Sequence, residues 1–211
     1  HILFSTRFQE EIYERAYKSL PNHSVLENAL PESTPQLHQK HEPLRLLFMG
    51  RFVGFKNLGL LLRAVAKVPN VRLTLIGSGP MERPLKQLAK DLLLTQRVTF
   101  LGSVQGESKE QVFQDYDLLI LPSITEISPN VALEARAAGL PVLLTDQTGL
   151  SESLSGGMKL LPLATPIEIN RALVVSISQY AELASAAAEP LPKRTWSDVA
   201  DEHAILFQAL V

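Results

Sequence analysis

The chain has 211 residues, 45% hydrophobic and 20% charged, with a formal net charge of −2. That length and balance fit one ordinary globular domain with at most a small appendage, and they exclude a basic nucleic-acid footprint. Zero cysteines exclude disulfides and thiolate metal sites, a composition that fits the cytoplasm.

His1 stands where a methionine would open a whole protein, so the chain reads as a fragment or a processed form. Residues 2–4 read as a short strand. After Thr6 a helix is expected over 7–18, with Phe8, Ile12, Tyr13, Ala16 and Tyr17 on one face. Residues 23–28 are a second strand candidate. Residues 31–43 are polar, with three prolines and two histidines, and read as a linker. His38 and His41 lack metal-ligand spacing and are expected in solvent.

From Leu44 strands and helices alternate, which argues a parallel sheet with right-handed crossovers. Strands are expected at 45–49, 71–76, 97–101, 117–121, 141–144 and 159–161. Helices fall near 57–67, 81–93, 109–114 and 130–138. The solidly apolar run 118–121 suits the sheet centre better than the alternating run 71–76. An alanine-rich helix, with a break left open, covers 166–189. A final helix over 196–211 carries Trp196, Phe207 and Leu210 on its apolar side.

In open parallel sheets, ligands bind beyond the carboxyl ends of the strands. The loop Gly50-Arg51-Phe-Val-Gly54-Phe-Lys56-Asn57 follows the first main strand. Its two cations can reach a diphosphate, Arg51 as a fork and Lys56 as a point charge. Gly77-Ser-Gly79-Pro80 is a near miss to the dinucleotide fingerprint, with Glu82 where the third glycine belongs. Asp115-Tyr-Asp117 is a D-x-D triplet, and Asp117 is expected to order a turn rather than chelate a metal.

The most informative stretch is 122–143. Ser128 suits an N-cap and Pro129 the first helical position. The N–H groups of Asn130, Val131 and Ala132 would then be free at the positive end of a helix. Glu126 before the helix and Glu134 on it flank that mouth. Ionised carboxylates only accept hydrogen bonds, so they suit sugar hydroxyls. A ligand with a diphosphate between two hydroxyl-rich rings would satisfy the stretch. Two solvated glutamates would explain the same spacing.

Glu126-Ile-Ser-Pro-Asn-Val-Ala-Leu-Glu134 resembles the Glu-x7-Glu motif of the retaining glycosyltransferases of family 4, and residues 135–142 are similar to the segment after that motif in those enzymes. The resemblance implies a Rossmann-like, doubly wound α/β domain over 44–211 with extra C-terminal helices, the donor-binding half of a GT-B enzyme. Residues 1–43 would be a remnant of the N-terminal domain and the linker. The implied reaction is transfer of a sugar from a nucleoside diphosphate sugar to an acceptor hydroxyl with retention, using neither cofactor nor metal.

In that family a G-R-x-x-x-x-K-N loop holds the diphosphate, matched here by Gly50, Arg51 and Lys56. Gly77 and Gly79 match a turn against the nucleoside, and Val98 a strand that meets the base. Ser128, Asn130 and Val131 would meet the phosphates, Glu134 the ribose, and Glu126 the transferred sugar. The acceptor, a glycan, lipid or protein, would be held by a half that is missing here, and peripheral membrane association through that half stays open. The fragment alone is expected to bind donor without transferring sugar. Residues 146–152 only loosely match the usual G-G-x-x-E turn, which touches the sugar rim. A non-catalytic nucleotide-sugar-binding or assembly subunit and a dinucleotide-dependent α/β enzyme remain alternatives.

Overall fold

The computed structural model describes residues 1–32, 35–104 and 108–210. At the start, β1 (Ile2–Phe4) and β2 (His23–Val25) pair in parallel across α1 (Arg7–Ala16). Thr6 caps α1, its hydroxyl accepting the Gln9 N–H at 3.2 Å.

The main sheet comprises β3 (Leu44–Met49), β4 (Val71–Ile76), β5 (Val98–Leu101), β6 (Leu118–Leu121), β7 (Val142–Thr145) and β8 (Lys159–Leu161). All pairings are parallel, in the order β5-β4-β3-β6-β7-β8. Parallel neighbours need long crossovers, supplied by α2 (Leu58–Val65), α3 (Glu82–Asp91), α4 (Ser108–Gln114), α5 (Asn130–Ala137) and α6 (Glu152–Ser155). The chain closes with α7 (Pro166–Ser178), α8 (Tyr180–Ala188) and α9 (Trp196–Ala209). This is the doubly wound α/β architecture expected. The winding reverses between β3 and β6, the centre of the sheet, where Leu46, Leu47, Leu118 and Leu119 are fully buried.

One point the sequence reading left open is settled, and two local features depart from it. The alanine-rich stretch breaks at Gln179, so α7 and α8 are separate. The short helix α6 has no counterpart among the expected elements. The final helix ends at Ala209, and Val211 lies outside the described residues.

His38 is the clearest correction, while His41 stays exposed as expected; Ser33 and Thr34 of the same linker lie outside the described residues. His38 is buried rather than solvated, with Nδ1 3.0 Å from the Tyr116 carbonyl. His41 Nδ1 lies 2.7 Å from Asp117 Oδ1, and the Arg45 N–H donates to Asp117 Oδ2 at 2.7 Å. Asp117 is wholly buried and spends both oxygens on protein donors, which ties the linker to the root of β3.

Two arginines close the back of the molecule. Arg136, on α5, is buried and donates to the carbonyls of Gly156, Ala187 and Glu189 at 2.9, 2.5 and 2.8 Å. Burial pulls its pKa below the usual arginine value. Arg194 donates to the Glu27 and Asn28 carbonyls while its own carbonyl accepts the Leu30 N–H. It also forms a bidentate pair with Glu202 at 2.6 and 2.7 Å. On α9, Val199 is buried while Trp196, Ile205, Phe207 and Leu210 beyond its end stay exposed. Among the described residues, no helix is long and apolar enough to cross a membrane.

Candidate active site

The loops leaving β3, β4, β5 and β6 converge with the start of α5 on a cavity of about 470 Å³. Gly50, Arg51 and Lys56 form one wall, Gly77 and Ser78 a second, and Ser103 and Val104 a third. Glu126, Ser128, Asn130 and Val131 close it. The positions read from sequence thus meet in one place, with three exceptions, of which Glu134 lines a neighbouring cavity. Val98 is buried in the core as part of β5, and Gly79 packs behind the wall.

The glycines serve the scaffold. A Cβ on Gly77, whose φ is +142°, would lie 1.9 Å from the Gly50 carbonyl oxygen. One on Gly79 would lie 2.5 Å from the Phe52 carbonyl oxygen. The close approach that demands glycine is therefore between two neighbouring loops, which lock together and set the cavity's shape. The Phe52 N–H to Ser78 carbonyl bond, at 2.8 Å, completes the lock.

Lys56 and Glu126 face each other across the cavity. Lys56 Nζ donates to Glu126 Oε1 at 2.5 Å, and the Ser123 hydroxyl donates to the same oxygen at 2.5 Å. The backbone around Glu126 is equally constrained. Its N–H donates to the Gln147 carbonyl at 2.9 Å, and its carbonyl accepts from the Gly149 N–H at 2.8 Å. The loop after β7 therefore grips the loop after β6, and Glu126 is a buried, oriented carboxylate rather than a solvated one. Arg51 is exposed on the rim, so its guanidinium is open to a ligand.

The helix mouth differs from expectation. Pro129, not Ser128, is the N-cap of α5, and there is no side-chain cap. The Ser128 hydroxyl instead accepts from Asn28 Nδ2 at 3.2 Å. The Asn130 N–H donates to the Ser128 carbonyl and the Ala132 N–H to the Pro129 carbonyl. That leaves Val131, of the three expected donors, with an N–H that has no partner among the described residues.

Glu134 lies behind this mouth, on the wall of a neighbouring cavity of about 580 Å³. Its Oε2 is shielded from solvent and has no conventional hydrogen bond; its contact there is an ion pair with the Lys109 ammonium from α4. Lys109, Asn130 and Val104 line both cavities, so the two are adjacent. Sequence reasoning missed Lys109 and Ser123. Ser123 carried a faint signal, its place three residues before Glu126 at a strand end, whereas an isolated lysine in a polar stretch carries none.

A family model of group 1 glycosyl transferases matches residues 31–160. The chain belongs to this family. That membership displaces the dinucleotide-enzyme alternative. A D-inositol 3-phosphate glycosyltransferase of Stackebrandtia nassauensis is 33% identical over 180 residues, covering 76% of this chain and 40% of the relative. The sucrose-phosphate synthase of Thermosynechococcus elongatus superposes with a TM-score of 0.82 at 23% identity, over 99% of this chain and 57% of that one. Anabaena HepE, solved with UDP and glucose, superposes with a TM-score of 0.79 at 18% identity, over 98% of this chain and 62% of that one. These superpositions show the Rossmann-like fold of the GT-B glycosyltransferases. This group 1 glycosyltransferase chain spans 40% of the length of its Stackebrandtia relative.

Proposed function

We propose that this chain is the donor-binding half of a retaining glycosyltransferase and that the 470 Å³ cavity takes a nucleoside diphosphate sugar. One observation carries the reading: Arg51, Lys56 and the Val131 N–H, unpartnered among the described residues, surround the same space as the buried carboxylate Glu126. Cations and a helix end suit the diphosphate. Carboxylates suit the hydroxyls of the sugar and the ribose.

When the bond from the anomeric carbon to the diphosphate breaks, its electron pair stays on the departing oxygen. Arg51, Lys56 and the start of α5 would stabilise that charge, each well-placed contact contributing about 2–4 kcal/mol in the transition state. No metal enters this reading. Its support is the cation set itself, together with an Asp117 whose oxygens are already engaged by His41 and Arg45. Gly50 and Gly77 give the pocket its shape, and Ser103 and Val104, which line it where Val98 does not, are the positions a base would meet. The whole protein would bring the acceptor through a further domain.

The test is calorimetric titration of the 211-residue chain with UDP, GDP and ADP, followed by the corresponding sugar donors. Binding of one nucleoside diphosphate, lost in Arg51→Ala, supports the reading. Absence of binding by all of them would refute it. Donor binding by the full-length protein without any transfer would select a non-catalytic binding subunit instead.

A further inference from the structure

The donor cavity lies at the carboxyl ends of the strands, and a polar cavity of about 290 Å³ opens at the other end of the same sheet. Arg45 on β3 and Arg72 on β4 both line it. They are direct partners in the parallel register, so two like charges stand side by side. Such a pair is destabilising unless something neutralises it. Among the described residues, neither guanidinium pairs with a carboxylate. Arg45 Nη1 has one long contact, 3.4 Å to the Asp115 carbonyl, and the Arg72 side chain has no hydrogen bond among the described residues. Thr74 and Thr99, register partners on β4 and β5, continue the lining, and Gln96 joins them. Arg97 lines the cavity too, but donates to the Val65 and Val68 carbonyls at 3.2 and 2.7 Å, so it contributes charge more than free donors. Against these cations stands the exposed Asp115 of the D-x-D triplet. A solvated strand face would suit any polar residues. Two arginines in register disfavour such a face unless an anion completes it.

We infer that this cavity is a second anion site, which takes the phosphate group of a small soluble compound between Arg45 and Arg72. Each guanidinium is a planar fork that matches two phosphate oxygens, and the threonine hydroxyls and the Gln96 amide add further donors. The lining has no exposed apolar side chain, which suits a solute better than a membrane surface. The inference stands apart from the donor-binding reading, because β3 runs between the two sites. Arg45 lies near its start, whereas Met49, about 13 Å further along the strand, lines the donor cavity.

The experiment titrates the isotope-labelled 211-residue chain with potassium phosphate and follows the amide resonances residue by residue. Amides of Arg72, Thr74 and Thr99 report this cavity, and those of Gly50 to Lys56 report the donor cavity, so the two sites are read separately. Potassium chloride at matched ionic strength is the control. Saturable shifts at Arg72 and Thr99 are expected, with a Kd of about 1 mM. Arg72→Gln should weaken phosphate about tenfold, the worth of one charge-assisted hydrogen bond. Changing Arg45→Gln as well should remove saturation altogether. Both positions are exposed, so the single and double variants should keep the wild-type thermal midpoint. Arg51→Ala should leave the shifts at Arg72 and Thr99 in place. Shifts reproduced by potassium chloride would overturn the inference, as would shifts confined to the loop from Gly50 to Lys56. Unchanged phosphate affinity in the double variant would overturn it too.

Discussion

Lys56 Nζ and Glu126 Oε1 lie 2.5 Å apart, so a cation that the donor-binding proposal assigns to the diphosphate is already paired across the cavity. An incoming diphosphate must compete with Glu126 for Lys56 and also approach a buried negative charge. Glu126→Gln removes both penalties and keeps an acceptor for the Ser123 hydroxyl. Nucleoside diphosphate affinity should therefore rise about fivefold, matching about 1 kcal/mol for a pair of this kind, while sugar transfer by the full-length enzyme is lost. Calorimetry decides the point: weaker binding in Glu126→Gln would end the competition model.

Arg51 and Lys56 should separate in a stability assay. Each alanine variant should lose about 1.5–3 kcal/mol of nucleoside diphosphate affinity. Arg51 is exposed, so its loss should leave the urea midpoint unchanged. Lys56→Ala strands a carboxylate whose side chain is only 9% exposed, with Ser123 as its remaining donor, and should destabilise the fold by about 1–3 kcal/mol. Equal midpoints for the two variants would count against this account of the pair.

Gly77→Ala should be among the most damaging single-methyl changes in the chain. The added carbon would meet the Gly50 carbonyl oxygen at 1.9 Å on a backbone whose φ is +142°. A loss of about 3 kcal/mol or more, or failure to fold, is expected. Gly54→Ala is the control, since nothing lies within 4 Å of its added carbon. Thermal melts of both variants, with similar midpoints, would contradict the locked-loop picture.

Acid should loosen α9 before it unfolds the sheet. Bonds from the Thr195 N–H and hydroxyl hold the Asp198 carboxyl below its usual pKa, and the hydrogen bond from Arg194 does the same for Glu202. A depressed folded-state pKa contributes stability that is present above the unfolded value and fades as pH falls through the folded one. Anchoring of α9 should thus be complete at neutral pH and fail only below the usual carboxylate range. Trp196 emission and amide exchange in α9, followed on acidification, should change ahead of exchange in β3 and β6.

Much of the architecture was legible because of how deeply the strands are buried. The run Leu118–Leu121 is apolar on both faces and lies at the sheet centre, beside a β3 that proved equally central. The spacing of Glu126 and Glu134 brought the right helix into view. What stayed hidden depends on partners distant in sequence. His38 reads as a polar residue in a proline-rich stretch, yet its ring is fixed by carbonyls 78 and 100 residues away. Lys109 has meaning only through Glu134. Ser128 looked like an N-cap because its type suits one, but Asn28 takes its hydroxyl and the helix starts a residue later.

The clasp at Arg194 has a mechanical consequence. Residues 27–30 leave the β1–β2 pair at the place where residue 194 enters α9, and the two stretches are bonded side by side. Asn28 and Glu27 also reach the loops after β6 and β7, through Ser128 and Ser151. A single protease nick within the linker would therefore leave residues 1–30 held to the main sheet by the arginine bonds and these two contacts.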